Sequence, residues 1–133
     1  MKVALGQDSH KIDYKNTNKK LILAGIEFEE KMSIVANSDG DVVLHAITNA
    51  ISGITGKNIL GEIADDMCKN KGITDSVEYL KEAKKYLTNE IIHLSISIEC
   101  KTPKISPRIQ EMRKNLSIIL QIPENSIGIT ATT

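Results

Sequence analysis

The chain has no surplus of either charge. Lysine and arginine number 17, and so do aspartate and glutamate, so no global field draws it to DNA, RNA or an anionic surface. Tryptophan is absent, and Phe28, Tyr14, Tyr79 and Tyr86 are scattered. They form no stacking platform for single-stranded nucleic acid. Cys68 and Cys100 are the only cysteines and fit no paired spacing, which favours reduced cytosolic thiols over a disulfide. No run approaches the roughly 18 apolar residues of a membrane span. The stretch from Met1 to Gly6 is too short for a signal peptide. The expectation is a cytoplasmic protein, or the mature part of an organellar stromal one, with no nucleic-acid or membrane partner. Neither an internal repeat nor a linker is visible, so residues 1–133 are expected to form one domain with a core of its own.

What is present is a sequence of short periodic stretches. Residues 2–9 read as a strand with Val3 and Leu5 on one face, and residues 13–20 as a polar loop. Residues 21–28 read as a hairpin turning near Ala24-Gly25. A helix is expected from Ser38, with Ser38 as N-cap and Asp41 closing a capping box. Its apolar stripe is Val42, Val43, Ala46, Ile47, Ala50 and Ile51. Residues 57–73 carry mixed charge and a weak pattern and read as a long loop. A second helix is expected from about Thr74 to Leu87. Strict alternation from Ile92 to Cys100 predicts a half-buried strand, ended by Pro103. Ser106 and Pro107 open a third helix as N-cap and first residue, and residues 127–133 alternate again as a strand. This order predicts an α+β fold, a ferredoxin-like sandwich with helices packed on one face of a mixed β-sheet.

Three residues have metal-ligand chemistry. Asp8 and His10 are two apart, so on a strand both point to one side. His45 lies in a helix opened by an acidic, glycine-containing turn, and can supply a third ligand. Three nitrogen and oxygen ligands with a fourth position open is the pattern of a catalytic zinc. The same residues also fit a strand end and two ordinary histidines. The helix start at residues 37–41 suits a phosphate, but Asp39 and Asp41 oppose one unless a cation intervenes. His93 reads as surface or interface. Glu62, Asp65 and Asp66 could bind hydroxyls or a second metal. The turn from Lys101 to Ser106 could read a base edge or bind an anion, and Thr130, Thr132 and Thr133 offer hydroxyls to phosphate or simply reflect strand propensity.

Taken in order, Gly6-Gln7-Asp8-Ser9-His10, Asn37-Ser38-Asp39-Gly40-Asp41-Val42-Val43-Leu44-His45, Pro103-Lys104 and Thr130-Ala131-Thr132-Thr133 resemble the 2-C-methyl-D-erythritol 2,4-cyclodiphosphate synthase family. The resemblance runs along essentially the whole chain. It implies a homotrimer with active sites between subunits, and a small-molecule substrate. That substrate is 4-diphosphocytidyl-2-C-methyl-D-erythritol 2-phosphate, cyclised with release of CMP in non-mevalonate isoprenoid synthesis. It implies Zn2+ on Asp8, His10 and His45. It implies substrate contacts from Ser9, Ser38, Glu62, Ala64, Thr132 and the segment Cys100, Pro103, Lys104, Ile105 and Ser106, which would line a cytosine pocket. Thr133 matches a threonine that stabilises the transition state. Asn37 stands where the family has a histidine beside the reacting phosphate, and Glu62 where it has an aspartate. The family continues past its A-T-T motif with T-E-K, a glycine-rich loop and a further strand. That continuation carries the ligand for Mg2+ or Mn2+, so a chain ending at Thr133 reads as cut short. A second reading from these residues is a catalytically silent homologue that keeps a zinc and nucleotide pocket as a binding or assembly module. A third is an unrelated α+β domain.

Overall fold

The computed structural model describes residues 1–133. Four helices and six short strands make an α+β fold. The strands pair two by two. β1 (Ile12–Asp13) and β4 (Ser33–Ile34) form a short antiparallel ladder. β2 (Leu21–Leu23) and β3 (Ile26–Phe28) form the expected hairpin, with Leu21 opposite Phe28. Both turn residues, Ala24 and Gly25, have positive φ, at 55° and 74°, the conformation that a tight two-residue hairpin turn demands. Glycine adopts it freely. Ala24 is held there by Asp41, which accepts its N–H at 2.9 Å, and by Asn115, which donates to its carbonyl at 2.7 Å.

Helix α1 (Val42–Thr55) begins three residues later than the capping box implied. Gly40, at φ 75°, turns the chain just before it. The N-cap is Asp41, whose carboxylate accepts the Leu44 N–H at 3.1 Å. Ser38 instead accepts the Gly40 N–H inside the turn. Residues 57–73 are not a loop: α2 (Glu62–Lys71) occupies most of them. Only Ala64 and Met67 of that helix are buried, a stripe too narrow to register as apolar periodicity. Its readable signs lie at the ends. Glu62 and Asp65 are in the first turn, Lys69 and Lys71 in the last, and Gly72 at φ 66° closes it, the charge order that the helix dipole favours. Helix α3 (Ser76–Lys84) is capped by Asp75 and is shorter than the pattern predicts at both ends.

β5 (Leu94–Glu99) pairs in parallel with β6 (Ile127–Thr132), Leu94 opposite Ile127 and Glu99 opposite Thr132. α4 (Ile109–Leu120) makes the crossover that a parallel pair requires. Ser106 opens a short 3-10 turn leading into α4 and makes no capping hydrogen bond through its side chain. Twenty-four apolar side chains from β2, β3, β6, all four helices and their connections form a continuous core, with Leu44, Leu80, Met112 and Leu116 fully buried.

Residues 2–9 form no strand. Exposure still alternates there. Val3 and Leu5 stand in solvent, 87% and 93% exposed, while Ala4, Gly6, Asp8 and His10 turn inward. The segment lies directly on α1. A Cβ on Gly6 would collide with the Ala46 carbonyl oxygen and come within 2.8 Å of Ala50 Cβ. No helix is long and apolar enough to cross a membrane.

Candidate metal centre

The contact at Gly6 sets the height of Asp8 and His10 on α1. Asn49, one turn beyond His45, donates to the Gln7 carbonyl at 3.1 Å and fixes the same segment from the other side. The result is a tight triangle. Asp8 Oδ2 lies 2.8 Å from His10 Nε2 and 3.2 Å from His45 Nδ1, and the two ring nitrogens are 3.1 Å apart. Donor atoms around a tetrahedral zinc, with bonds near 2.0 Å, are spaced about 3.3 Å apart. The three atoms therefore form one face of such a tetrahedron, slightly contracted, and they alone among the histidine, cysteine and carboxylate groups cluster this way. Each ring nitrogen can offer a lone pair once its imidazole is neutral with the proton on the opposite nitrogen, and the carboxylate adds a charge. The donor set fits a divalent ion of zinc's character.

His45 is 7% exposed. Burial pulls its pKa below the ordinary histidine range, against the opposing pull of the Asp8 carboxylate. The low value favours the neutral imidazole that metal ligation needs. Its outer nitrogen, Nε2, lies 2.8 Å from Ser76 Oγ. Ser76 in turn meets Asp39 twice, its N–H donating to Oδ2 at 3.0 Å and its hydroxyl contacting Oδ1. Neither Asp39 nor Ser76 stood out as a site residue in the sequence. Asp39 read only as part of an acidic turn, and Ser76 as an interior helix position. The Asp75-Ser76 pair at a helix start is the one trace, because Asp75 already caps α3 and leaves the serine hydroxyl for another use.

The triangle opens into a cavity of about 380 Å3 lined by Asn37, Ser38, Asn49, Gly61, Ala64, Asp65, Cys68 and Tyr79 together with Asp8, His10 and His45. Cys68 Sγ contacts the Asn37 carbonyl at 3.6 Å. Tyr79 donates to the Ile73 carbonyl at 2.5 Å, and its pKa is pushed up to about 12, chiefly by burial and then by Cys68. Of the residues singled out in the sequence, Asp8, His10, His45, Asn37, Ser38, Ala64 and Asp65 meet here. Ser9 does not, because it takes the outward place between Asp8 and His10. Glu62 faces a different groove, between α2 and α3, and it is Asp65, one turn on, that lines the cavity.

A second group gathers at the far ends of β5 and β6. The Cys100 N–H donates to the Thr132 carbonyl at 3.0 Å, and Cys100 Sγ contacts the Pro103 carbonyl at 3.5 Å. Pro103 and Ile105 are buried, whereas Lys104, Ser106, Thr132 and Thr133 are exposed. None of these residues lines the cavity at the triangle.

A family model described as the YgbB family matches residues 1–133. Among curated proteins, the chain is 52% identical over 134 residues to 2-C-methyl-D-erythritol 2,4-cyclodiphosphate synthase of Chlamydia trachomatis serovar A, covering 99% of this chain and 75% of that one. A solved structure of 2C-methyl-D-erythritol-2,4-cyclodiphosphate synthase in its CDP-bound form shares the fold. It matches with a TM-score of 0.83 and 24% identity over 99% of this chain and 88% of that chain. The CDP complex of IspF from Plasmodium falciparum is 28% identical, with a TM-score of 0.76, over 98% of this chain and 80% of that one.

Proposed function

The chain belongs to the YgbB family, the 2-C-methyl-D-erythritol 2,4-cyclodiphosphate synthases, and from that premise we propose that it cyclises 4-diphosphocytidyl-2-C-methyl-D-erythritol 2-phosphate. An oxygen of the 2-phosphate attacks the β-phosphorus. The bond from that phosphorus to the bridging oxygen breaks, CMP departs with the bridging oxygen, and the cyclic diphosphate remains. The observation that carries the reading is the triangle of Asp8, His10 and His45 opening onto a cavity lined by Asn37, Ser38 and Asp65.

Asp8, His10 and His45 are the residues to hold the metal. When bound, Zn2+ supplies Lewis-acid charge to the diphosphate oxygens, the principal demand of phosphoryl transfer. The chain's own groups supply position. Asn37 and Ser38 stand at the cavity edge, where a side-chain amide and a hydroxyl donate to phosphate oxygens without adding charge. Asp65 lines the wall with an acceptor for erythritol hydroxyls, a task that the family resemblance placed on Glu62. The Cys100–Ser106 segment and Thr132 offer the cytosine pocket, and Thr133 a hydroxyl to the phosphates in the transition state.

These two groups do not share a cavity within one chain. They are proposed to meet across a subunit boundary in a homotrimer, the ends of β5 and β6 of one copy facing the triangle of the next. The 28%-identical relative solved as a CDP complex supports a cytidine nucleotide as the leaving half. Asn37, in place of a chargeable histidine, favours one rival: a silent homologue that binds zinc and nucleotide without turnover. Incubation of the zinc-loaded protein with the diphosphocytidyl substrate separates the two. The cyclase yields CMP and the cyclic diphosphate, observed by phosphorus NMR, in equal amounts. Unchanged substrate with zinc bound would establish the silent homologue instead.

A further inference from the structure

We propose that Ser76 and Asp39 are positioning residues for the metal, holding His45 in the tautomer whose Nδ1 lone pair faces Asp8 and His10. The inference rests on the metal site proposed above. It follows from counting protons along one chain of hydrogen bonds. The Asp39 carboxylate accepts on both oxygens, from the Ser76 N–H at 3.0 Å on Oδ2 and from the Asp41 N–H at 3.0 Å on Oδ1. Oδ1 also meets the Ser76 hydroxyl. An ionised carboxylate has only acceptors, so the single hydroxyl proton of Ser76 points at Asp39. Only lone pairs remain on Oγ. His45 Nε2, 2.8 Å away, must therefore carry a proton and donate it. A neutral imidazole with its proton on Nε2 leaves Nδ1 bare, and Nδ1 is the atom in the triangle.

Asp8 pulls the other way, since its carboxylate would accept a proton from Nδ1. Two facts decide the competition. Ser76 is completely buried, so moving the proton to Nδ1 would leave a bare Nε2 facing a hydroxyl oxygen with no proton to give, and both buried acceptors would lose their donor. The Asp8 side chain is 24% exposed and has a second donor: His10 Nε2, 2.8 Å from it and 3.1 Å from His45 Nδ1, supplies one proton to both. The relay also carries structure. Asp39 and Ser76 lie 37 residues apart and tie the turn before α1 to the first residue of α3, so the ligand on α1 is oriented by the start of α3. Partners of this kind change metal affinity by about 10–100-fold when removed.

The test needs nitrogen NMR of the histidines and zinc affinity by competition with a chelator. In the metal-free wild type, above neutral pH, His45 is expected to carry its proton on Nε2. A proton on Nδ1 overturns the proposal without any variant. Ser76→Ala should move the proton towards Nδ1 and weaken zinc binding by about 10–100-fold. Ser76→Thr, which keeps the hydroxyl, should restore both. Zinc binding and tautomer unchanged in a folded Ser76→Ala protein would refute the relay. A wild type that takes up no zinc contradicts the metal site itself, and the tautomer of the metal-free protein still decides the relay.

Discussion

Asp41 is fully buried, and its carboxylate accepts three backbone N–H groups. Two come from the β2–β3 turn at Ala24 and Gly25, and one from Leu44 in the first turn of α1. Burial pushes its pKa up from 3.8 to about 7, although the donors at Gly25, Leu44 and Ala24 pull it down. A carboxyl with a raised folded value binds its proton more tightly folded than unfolded. The stability it contributes is present below 3.8 and is lost as the pH rises towards about 7. Asp41→Asn cannot titrate and loses one acceptor oxygen. The wild type should melt higher than this variant at about pH 5, and its lead should shrink by about pH 8. Melting curves with a constant gap across that window would contradict the assignment. The same residue marks where reading the sequence succeeds and stops. Asp8, His10 and His45 were legible because same-side spacing and ligand chemistry are local facts. Which of Ser38 and Asp41 caps α1 was not, because the choice depends on the β2–β3 turn arriving at Asp41. Ser76 and Asp39 were invisible for the same reason, since their work exists only in a contact between α3 and the turn before α1.

At the scale of elements, the triangle of Asp8, His10 and His45 depends on one close approach. Gly6 lets residues 4–10 lie against the backbone of α1 at Ala46 and Ala50, which sets Asp8 and His10 opposite His45. The strand expected at residues 2–9 is absent because no neighbouring strand in the chain pairs with them, and Val3 and Leu5 share the exposed side of the segment. Gly6→Ala adds one methyl where backbone stands in the way. The core is untouched, so the variant should fold, but the segment must lift. Zinc affinity measured by calorimetry should fall by at least ~10-fold, the scale of a misoriented ligand. An unchanged affinity would show that the segment is free to shift without moving its side chains. Helix α2 carries the opposite lesson. Its ten residues bury two side chains, so its end charges and closing glycine identify it better than its periodicity does.

At the scale of the whole molecule, the triangle with its cavity and the cluster at the ends of β5 and β6 are separate on one chain. If they are halves of one site, subunits damaged in different halves should complement each other. His45→Ala and Thr133→Ala, each inactive alone, should regain about a quarter of wild-type activity when refolded together in equal amounts, the random chance that two intact halves meet. No recovery from the mixture would mean that each chain carries its site alone. The α+β class and the cluster of Asp8, His10 and His45 were legible in the residues; the separation of the β5–β6 end from that cluster on one chain was not, and only the family resemblance implied a site shared between subunits. The central claim, an ion on Asp8, His10 and His45 serving cyclisation, is tested most directly by titrating zinc into metal-free protein while following CMP release from the diphosphocytidyl substrate. Turnover should rise with zinc and saturate at one ion per chain, and Asp8→Asn should abolish the saturable part. Turnover that is indifferent to zinc, or absent with the site filled, would contradict it.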